Sequence, residues 1–279
     1  MKKAPLIAIL TPAKSMTTKA IGKKAAWERT TSPRLSKETS LLVRLMKRET
    51  RSGVKKLMKV SDKIADLNVN RYRTFEEQIE RPAMLYFDGA AHRGFDAWSL
   101  ENVSKSSAQR RVRIVSGLYG LLRPYDRMKA YRLEMGTKLR VREDAKNLYE
   151  FWGTKITDLL LEDLDLARDG PPPVIVNCCS KEYAKAVRFD RLEENGVTVV
   201  TCEFPGPSVY AKRARGMMCR FVAEEAIEEI DALKAFAGFE EDAHYVFDEA
   251  GSSKKKNTLV FHRRAGPPMP KAKRRRKGD

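Results

Sequence analysis

The chain has 279 residues, 42% of them hydrophobic, and a formal net charge of +18. That apolar content supports an ordinary core and excludes a disordered polycation. No apolar run is long enough to span a bilayer, and Leu6–Leu10 is too short for the apolar segment of a signal peptide. The charge excess favours nucleic acid, phosphorylated ligands or an acidic surface as partner.

Leu6–Leu10 is continuously apolar and predicts a buried strand. It ends in Thr11-Pro12-Ala13-Lys14, where a lysine at the mouth of a turn is placed to meet an anion, although a solvated loop lysine is commoner. Residues 15–37 show no period and read as a flexible loop. Lys37–Tyr72 is helical: Leu41, Leu42, Leu45 and Met46, then Leu57, Val60, Ile64 and Leu67, recur at helical spacing. Gly53 and Ser61-Asp62 interrupt it, and Ser61 is the expected N-cap of a second helix, Asp62–Tyr72. Helix, short turn and basic helix is also the outline of a helix-hairpin-helix DNA module, although Val60-Ser61-Asp62-Lys63 lacks the usual Gly-x-Gly. Ala83–Phe87 predicts a short strand ended by Asp88-Gly89. Phe95–Val103 predicts a helix with Phe95, Trp98, Leu100 and Val103 on its apolar face.

The stretch Val112–Gly136 is the most informative. Val112, Ile114 and Val115 predict a strand. Gly117 and Gly120 permit a turn with positive φ or a close backbone approach. Pro124 biases Arg123 towards an extended conformation. Arg123, Arg127, Lys129 and Arg132 then alternate with Tyr125 and Tyr131, and cations beside aromatics suit a surface that holds phosphates and bases. A core strand followed by a solvated basic loop explains the same residues.

Asn147–Ala167 predicts a helix burying Leu148, Phe151, Trp152, Ile156, Leu159 and Leu160. Pro171-Pro172-Pro173 precede a second buried strand, Val174–Cys179. Ser180-Lys181-Glu182-Tyr183 follow at its carboxyl end, a favoured site position in α/β sheets. Val197–Phe204 predicts a third strand. Tyr210 opens a helix expected to reach about Ala237, and Lys212, Arg213 and Arg215 in its first turns oppose the helix dipole, which points to a nearby anion. Tyr245–Phe247 and Thr258–Phe261 predict a closing hairpin around Gly251–Lys256. Residues 267–279 form a basic tail expected to be disordered. It contributes +5 and leaves +13 on residues 1–266.

No phosphate loop, dinucleotide fingerprint, HExxH or GxSxG motif is present. The four cysteines, Cys178, Cys179, Cys202 and Cys219, include no CxxC spacing and suggest reduced thiols. The three histidines are scattered, so no metal site is expected. Weak catalytic candidates are Cys178 or Cys179, the latter favoured, as a nucleophile and Glu182, beside Lys181, as an acid or base.

Taken together, Thr11–Lys14, Val60–Ala65 with Leu67-Asn68, Ser116–Met135, Phe151-Trp152-Gly153, Ser180–Tyr183, Tyr210–Gly216 and Phe247-Asp248 with Ser252-Ser253 resemble the YaaA family of peroxide-stress proteins across roughly residues 6–264. The resemblance implies a single α/β (mixed α+β) domain over residues 1–266, with a central sheet, surrounding helices and a positively charged cleft. It further implies binding of duplex or distorted DNA, a helix-hairpin-helix-like element and protection from hydrogen peroxide through limited free iron. It implies no cofactor and no membrane. Carried over by motif, the cleft residues are Lys14, Lys63, Arg71, Arg123, Arg132, Lys212 and Arg215. Tyr119 or Tyr125 would stack on an unpaired base of double-stranded or bulged DNA. The location implied is the bacterial cytoplasm, with the nucleoid, or the nucleus of a eukaryotic host. Many members carry Gly-Asp-Val-Tyr where this chain has Gly89-Ala90-Ala91-His92, and a Pro expected before Tyr131 is Ala130. The alternative is an enzyme acting on a nucleotide or another phosphate-bearing small molecule, with Lys14, Lys181 and Arg215 holding the phosphate.

Overall fold

The structure, a computed structural model, describes residues 5–19, 30–166, 170–240, 243–253 and 257–266. In chain order its elements are β1 (Leu6–Leu10), β2 (Ser15–Met16), α1 (Ser36–Arg48), α2 (Arg51–Met58), α3 (Asp62–Arg73), β3 (Arg81–Pro82), α4 (Ala83–Tyr86), β4 (Phe87–Asp88) and α5 (Ala90–Phe95). A 3-10 turn at Ala97–Ser99 leads to α6 (Asn102–Arg111), β5 (Val112–Ser116), β6 (Gly120–Leu122), β7 (Arg127–Met128), α7 (Leu148–Trp152) and α8 (Lys155–Leu164). Then come β8 (Val174–Cys178), α9 (Lys181–Ala184), α10 (Phe189–Glu194), β9 (Thr198–Glu203), α11 (Ser208–Glu224), a 3-10 turn at Asp231–Ala235, β10 (Ala243–Ser253) and β11 (Thr258–Ala265).

The apolar runs build the middle of one seven-stranded sheet, ordered β10-β11-β9-β8-β1-β5-β6. The five central strands are parallel, and β10 and β6 close the edges antiparallel. Every residue of β1, β5 and β8 is buried. That is why β1 reads as an unbroken apolar run and β5 and β8 as apolar runs broken only by the buried Arg113, Ser116 and Asn177: helices and loops cover both faces of a parallel sheet. From β1 the chain moves to one side, to β5 and β6. It then returns to the other side of β1 for β8 and β9. The helices β1 needs on one flank and β8 on the other leave a crevice between their carboxyl ends.

The glycine turn after β5 is held by close approaches. A Cβ on Gly117 would lie 2.2 Å from the Leu133 carbonyl oxygen, and Gly120 has φ +69° with Trp152 and Leu35 against it. The Trp152 indole N–H donates to the Gly117 carbonyl at 3.1 Å. This packs the turn onto α7 and fixes where the basic segment 123–132 begins.

Several boundaries differ from the expectation. Gly53 lies inside α2; the helical break falls at Glu49-Thr50, where the Thr50 hydroxyl caps α2 by accepting from the Gly53 N–H. Ser61 sits at the N-cap of α3 without a side-chain cap bond. Ala83–Phe87 is mostly helix α4, not a strand, because the Ala83 and Met84 N–H groups donate to Asp126 and Pro124 carbonyls. A short apolar run does not distinguish the two states. The helix expected at Phe95–Val103 is absent: Asp96, at φ +46°, ends α5, and α6 begins only at Asn102. Trp98 and Val103 are accordingly exposed. Asn147–Ala167 is two helices, broken at Gly153 with φ +51°, and Ala167 lies outside the described residues. The long helix runs from Ser208 and stops at Glu224 rather than near Ala237. In the expected loop 15–37, Ser15-Met16 pairs with Phe87-Asp88, and Thr31 bridges Asp126. Residues 20–29, 254–256 and the tail 267–279 lie outside the described residues.

Candidate functional site

A cavity of about 750 Å³ opens at the carboxyl ends of β1 and β8. Thr11–Ser15 continue β1 into its wall, and Cys178 and Ser180–Tyr183 continue β8. The Ser180 N–H donates to the Thr11 hydroxyl at 2.8 Å and ties the two strand ends together. Asp88–His92 supply the third wall, and Ser208, Val209, Lys212 and Arg215 of α11 the fourth.

The last two walls are positioned by glycines. A Cβ on Gly216 would lie 1.7 Å from the Ala91 carbonyl oxygen, and one on Gly94 would lie 2.1 Å from that of Arg213. Helices α5 and α11 therefore cross backbone to backbone, which sets His92 beside the first turns of α11. Four cations (Lys14, Lys181, Lys212 and Arg215) and two carboxylates (Asp88 and Glu182) line the cavity. Among the described residues, no ion pair holds Lys212 or Arg215. The first turn of α11 contains no acidic residue, and no side chain caps it. An anion there would meet both the cations and the positive end of the helix dipole.

Glu182 also lines a second cavity of about 640 Å³, between α2 and residues 134–138, whose cations are Lys56, Lys59 and Lys138. Two bridges define the boundary between the cavities. Lys14 pairs with Glu134 at 2.5 Å, and Glu134 pairs with Arg132 at 2.9 Å. Glu182 accepts from the Gly136 N–H at 2.8 Å. That bond makes Glu182 a brace for the 134–138 loop rather than an unengaged acid or base.

The expected contact residues thus divide. Lys14, Lys212, Arg215 and Glu182 converge on the first cavity. Arg132 joins them through Glu134. Arg71, half-buried on α3, lies near enough to Arg132 to feel its charge, and burial pulls its guanidinium pKa down. Lys63 is exposed two turns earlier on the same helix. Arg123 stands elsewhere, next to β6, two strands over from β1. It pairs with the fully buried Asp126 and donates to the Ser32 carbonyl, so it fastens the incoming loop.

The aromatics of the central stretch face inward. Tyr119, Tyr125 and Tyr131 are all buried, with Tyr119 and Tyr131 edge-to-face at 5.4 Å. The Tyr119 hydroxyl accepts from the Lys129 N–H. Neither Tyr119 nor Tyr125 presents a face for base stacking; Tyr119 holds the basic loop from beneath through the Lys129 N–H. Cys179 is likewise buried, and burial pushes its thiol pKa far up, leaving it protonated and a poor nucleophile. The thiol on the cavity side is Cys178.

Helices α2 and α3 form a helical hairpin through Lys59, Val60 and Ser61, with Lys59 at φ +51°. Among the described residues, no cluster of three metal-ligating side chains occurs. No helix there is long and apolar enough to cross a membrane.

His92 is the site residue that sequence reasoning missed. Its only signal was the departure at Gly89–His92, and nothing local shows that α11 lies against it.

The sequence profile of the family described as peroxide stress protein YaaA matches residues 6–250. A UPF0246 protein of Burkholderia orbicola is 40% identical over 270 residues, covering 94% of this chain and 100% of the relative. UPF0246 proteins of Burkholderia cenocepacia and Burkholderia thailandensis show the same identity and coverage.

Proposed function

The chain belongs to the YaaA family of peroxide-stress proteins, and on that premise we propose that it acts by binding duplex or distorted DNA along the two neighbouring cavities. The observation that carries this reading is the set of cations at the β1/β8 crevice. Lys212 and Arg215 project from helix turns that hold no acidic residue, and Lys181 and Lys14, the latter paired with Glu134, line the same cavity. Phosphates are the natural complement of that arrangement, and phosphate contacts dominate DNA affinity. The second cavity is of mixed charge, with Lys56, Lys59 and Lys138 among Glu49, Glu134 and Glu182; in the proposed complex Lys56 and Lys59 bring the α2–α3 hairpin to the DNA backbone, in the place of a helix-hairpin-helix element. DNA held in this way is shielded from iron-driven peroxide damage. Limited free iron is the second part of the proposed protection.

One prediction follows from the charge. If about four phosphates are neutralised at the crevice, log K falls linearly with log salt with a slope of about −3 to −4. Fluorescence anisotropy over a salt series, with a chain ending at Arg264, measures it. Affinity that does not change with salt contradicts the reading.

A second reading draws on one specific observation. The first cavity has the size of a small-molecule site, and Glu182 stands in its wall. An enzyme acting on a phosphate-bearing small molecule would use the same cations. Turnover of such a molecule, lost in Lys212→Ala, is the result that would favour it.

A further inference from the structure

His92 is 5% exposed and stands in the wall between the 750 Å³ cavity and a smaller one of about 320 Å³ lined by Lys19, Asp88 and Arg93. Its Nε2 lies 3.2 Å from the Thr11 carbonyl oxygen. A carbonyl only accepts, so Nε2 carries the proton. Burial keeps the ring neutral. The other nitrogen, Nδ1, is therefore a bare acceptor. It is buried and has no hydrogen-bond partner among the described residues. A buried acceptor without a donor is costly, and such orphans in native structures mark places where a partner belongs.

The opposite wall is cationic. The α5–α11 crossing at Gly94 and Gly216 brings the first turns of α11 next to the segment bearing His92. One cavity thus combines an uncompensated positive helix end, Lys212 and Arg215 for an anion, and one neutral acceptor for a donor. A phosphodiester group alone has no donor and would leave Nδ1 unmet. A neutral base or sugar alone would leave the cations unmet.

We infer that this cavity binds one nucleotide unit, with its phosphate between Lys212 and Arg215 and an N–H or O–H of its base or sugar on His92 Nδ1. The volume lies within the range of small-ligand pockets. Two sources present this chemistry: a free nucleotide, and a nucleotide extruded from a DNA strand. The second rests on the DNA reading above. Extrusion costs least where a base is already unpaired, which would turn a bulge into a preferred ligand.

The test has two arms. In the first, isothermal titration of the full chain compares adenosine 5′-monophosphate, adenosine and inorganic phosphate. In the second, anisotropy compares a duplex carrying a one-nucleotide bulge with the same duplex whose bulged position is abasic. Each is run on the wild type, His92→Phe and Arg215→Ala. The expected result is that His92→Phe weakens the monophosphate or the bulged duplex about tenfold while leaving inorganic phosphate or the abasic duplex unchanged. Arg215→Ala, at a half-exposed position, weakens every phosphate-bearing probe and remains informative if His92→Phe does not fold. Monophosphate binding that His92→Phe weakens, without any bulge preference, assigns the site to a free nucleotide; the inference then stands and the DNA reading loses its site, whereas monophosphate binding that His92→Phe leaves unchanged overturns the inference. A bulge preference erased by His92→Phe, without monophosphate binding, assigns it to DNA. DNA binding unaffected by His92→Phe, together with no monophosphate binding, overturns the inference and leaves the DNA reading intact.

Discussion

His92 has a consequence for stability as well as for binding. Burial pushes its imidazole down from the ordinary 6.5 to about 4, against the opposing pull of the Thr11 carbonyl and the Asp88 carboxylate. The unfolded chain takes up a proton near pH 6.5, whereas the folded chain resists until about pH 4. Between those values the unfolded state binds more protons, so stability falls as pH falls. The full effect is of order 3 kcal/mol. Relative to His92→Gln, the wild type is expected to lose stability between pH 6.5 and pH 4 and to show no such trend above pH 7. Urea unfolding at pH 5 and pH 7.5 checks it. A difference that does not change with pH would mean that the ring is solvated, and a wild type that gains stability towards pH 5 would mean that it is held charged. At the same scale, Arg123 and Tyr119 show how a residue suited to DNA can be spent on the fold. Arg123 neutralises the buried Asp126, and Tyr119 anchors the Lys129 backbone. Their composition was legible in the sequence, but the direction in which they point was set by tertiary packing.

The crossing of α5 and α11 is the element on which the cavity depends. Any side chain at Gly216 must displace the Ala91 carbonyl. Gly216→Ala is expected to destabilise the fold by roughly 1–3 kcal/mol through overpacking, and to weaken ligand binding because His92 and Arg215 are separated. Thermal unfolding together with phosphate titration checks both. An unchanged melting temperature would contradict the close approach. This contact also marks the limit of sequence reasoning. Strands β1, β5 and β8 were legible because burial on both faces leaves a largely apolar run, and β9 because Val199, Val200 and Cys202 are buried within it. The positions of Lys14 and Ser180–Tyr183 at strand ends were legible for the same reason. Helix ends were not: Asp96, Gly153 and Ala226 adopt positive φ at breaks that the apolar pattern runs straight through. Nor was the third cavity wall, since Asp88–His92 is separated from Lys212 by more than a hundred residues and meets it only through two glycines.

For the whole molecule, charge sets the competing explanation. The tail beyond Gly266 carries +5 of the +18, and a basic tail alone can hold DNA loosely. Residues 1–266 keep +13, and the proposed specific contacts lie at the β1/β8 crevice. The most direct measurement is anisotropy of bulged duplex DNA with three proteins: the full chain, a chain ending at Arg264, and that shortened chain carrying Lys212→Ala and Arg215→Ala. The shortened chain is expected to keep saturable binding, and the double substitution to weaken it at least tenfold without lowering the melting temperature. If the shortened chain binds no DNA, or if the double substitution leaves its affinity unchanged, the crevice is not the DNA site.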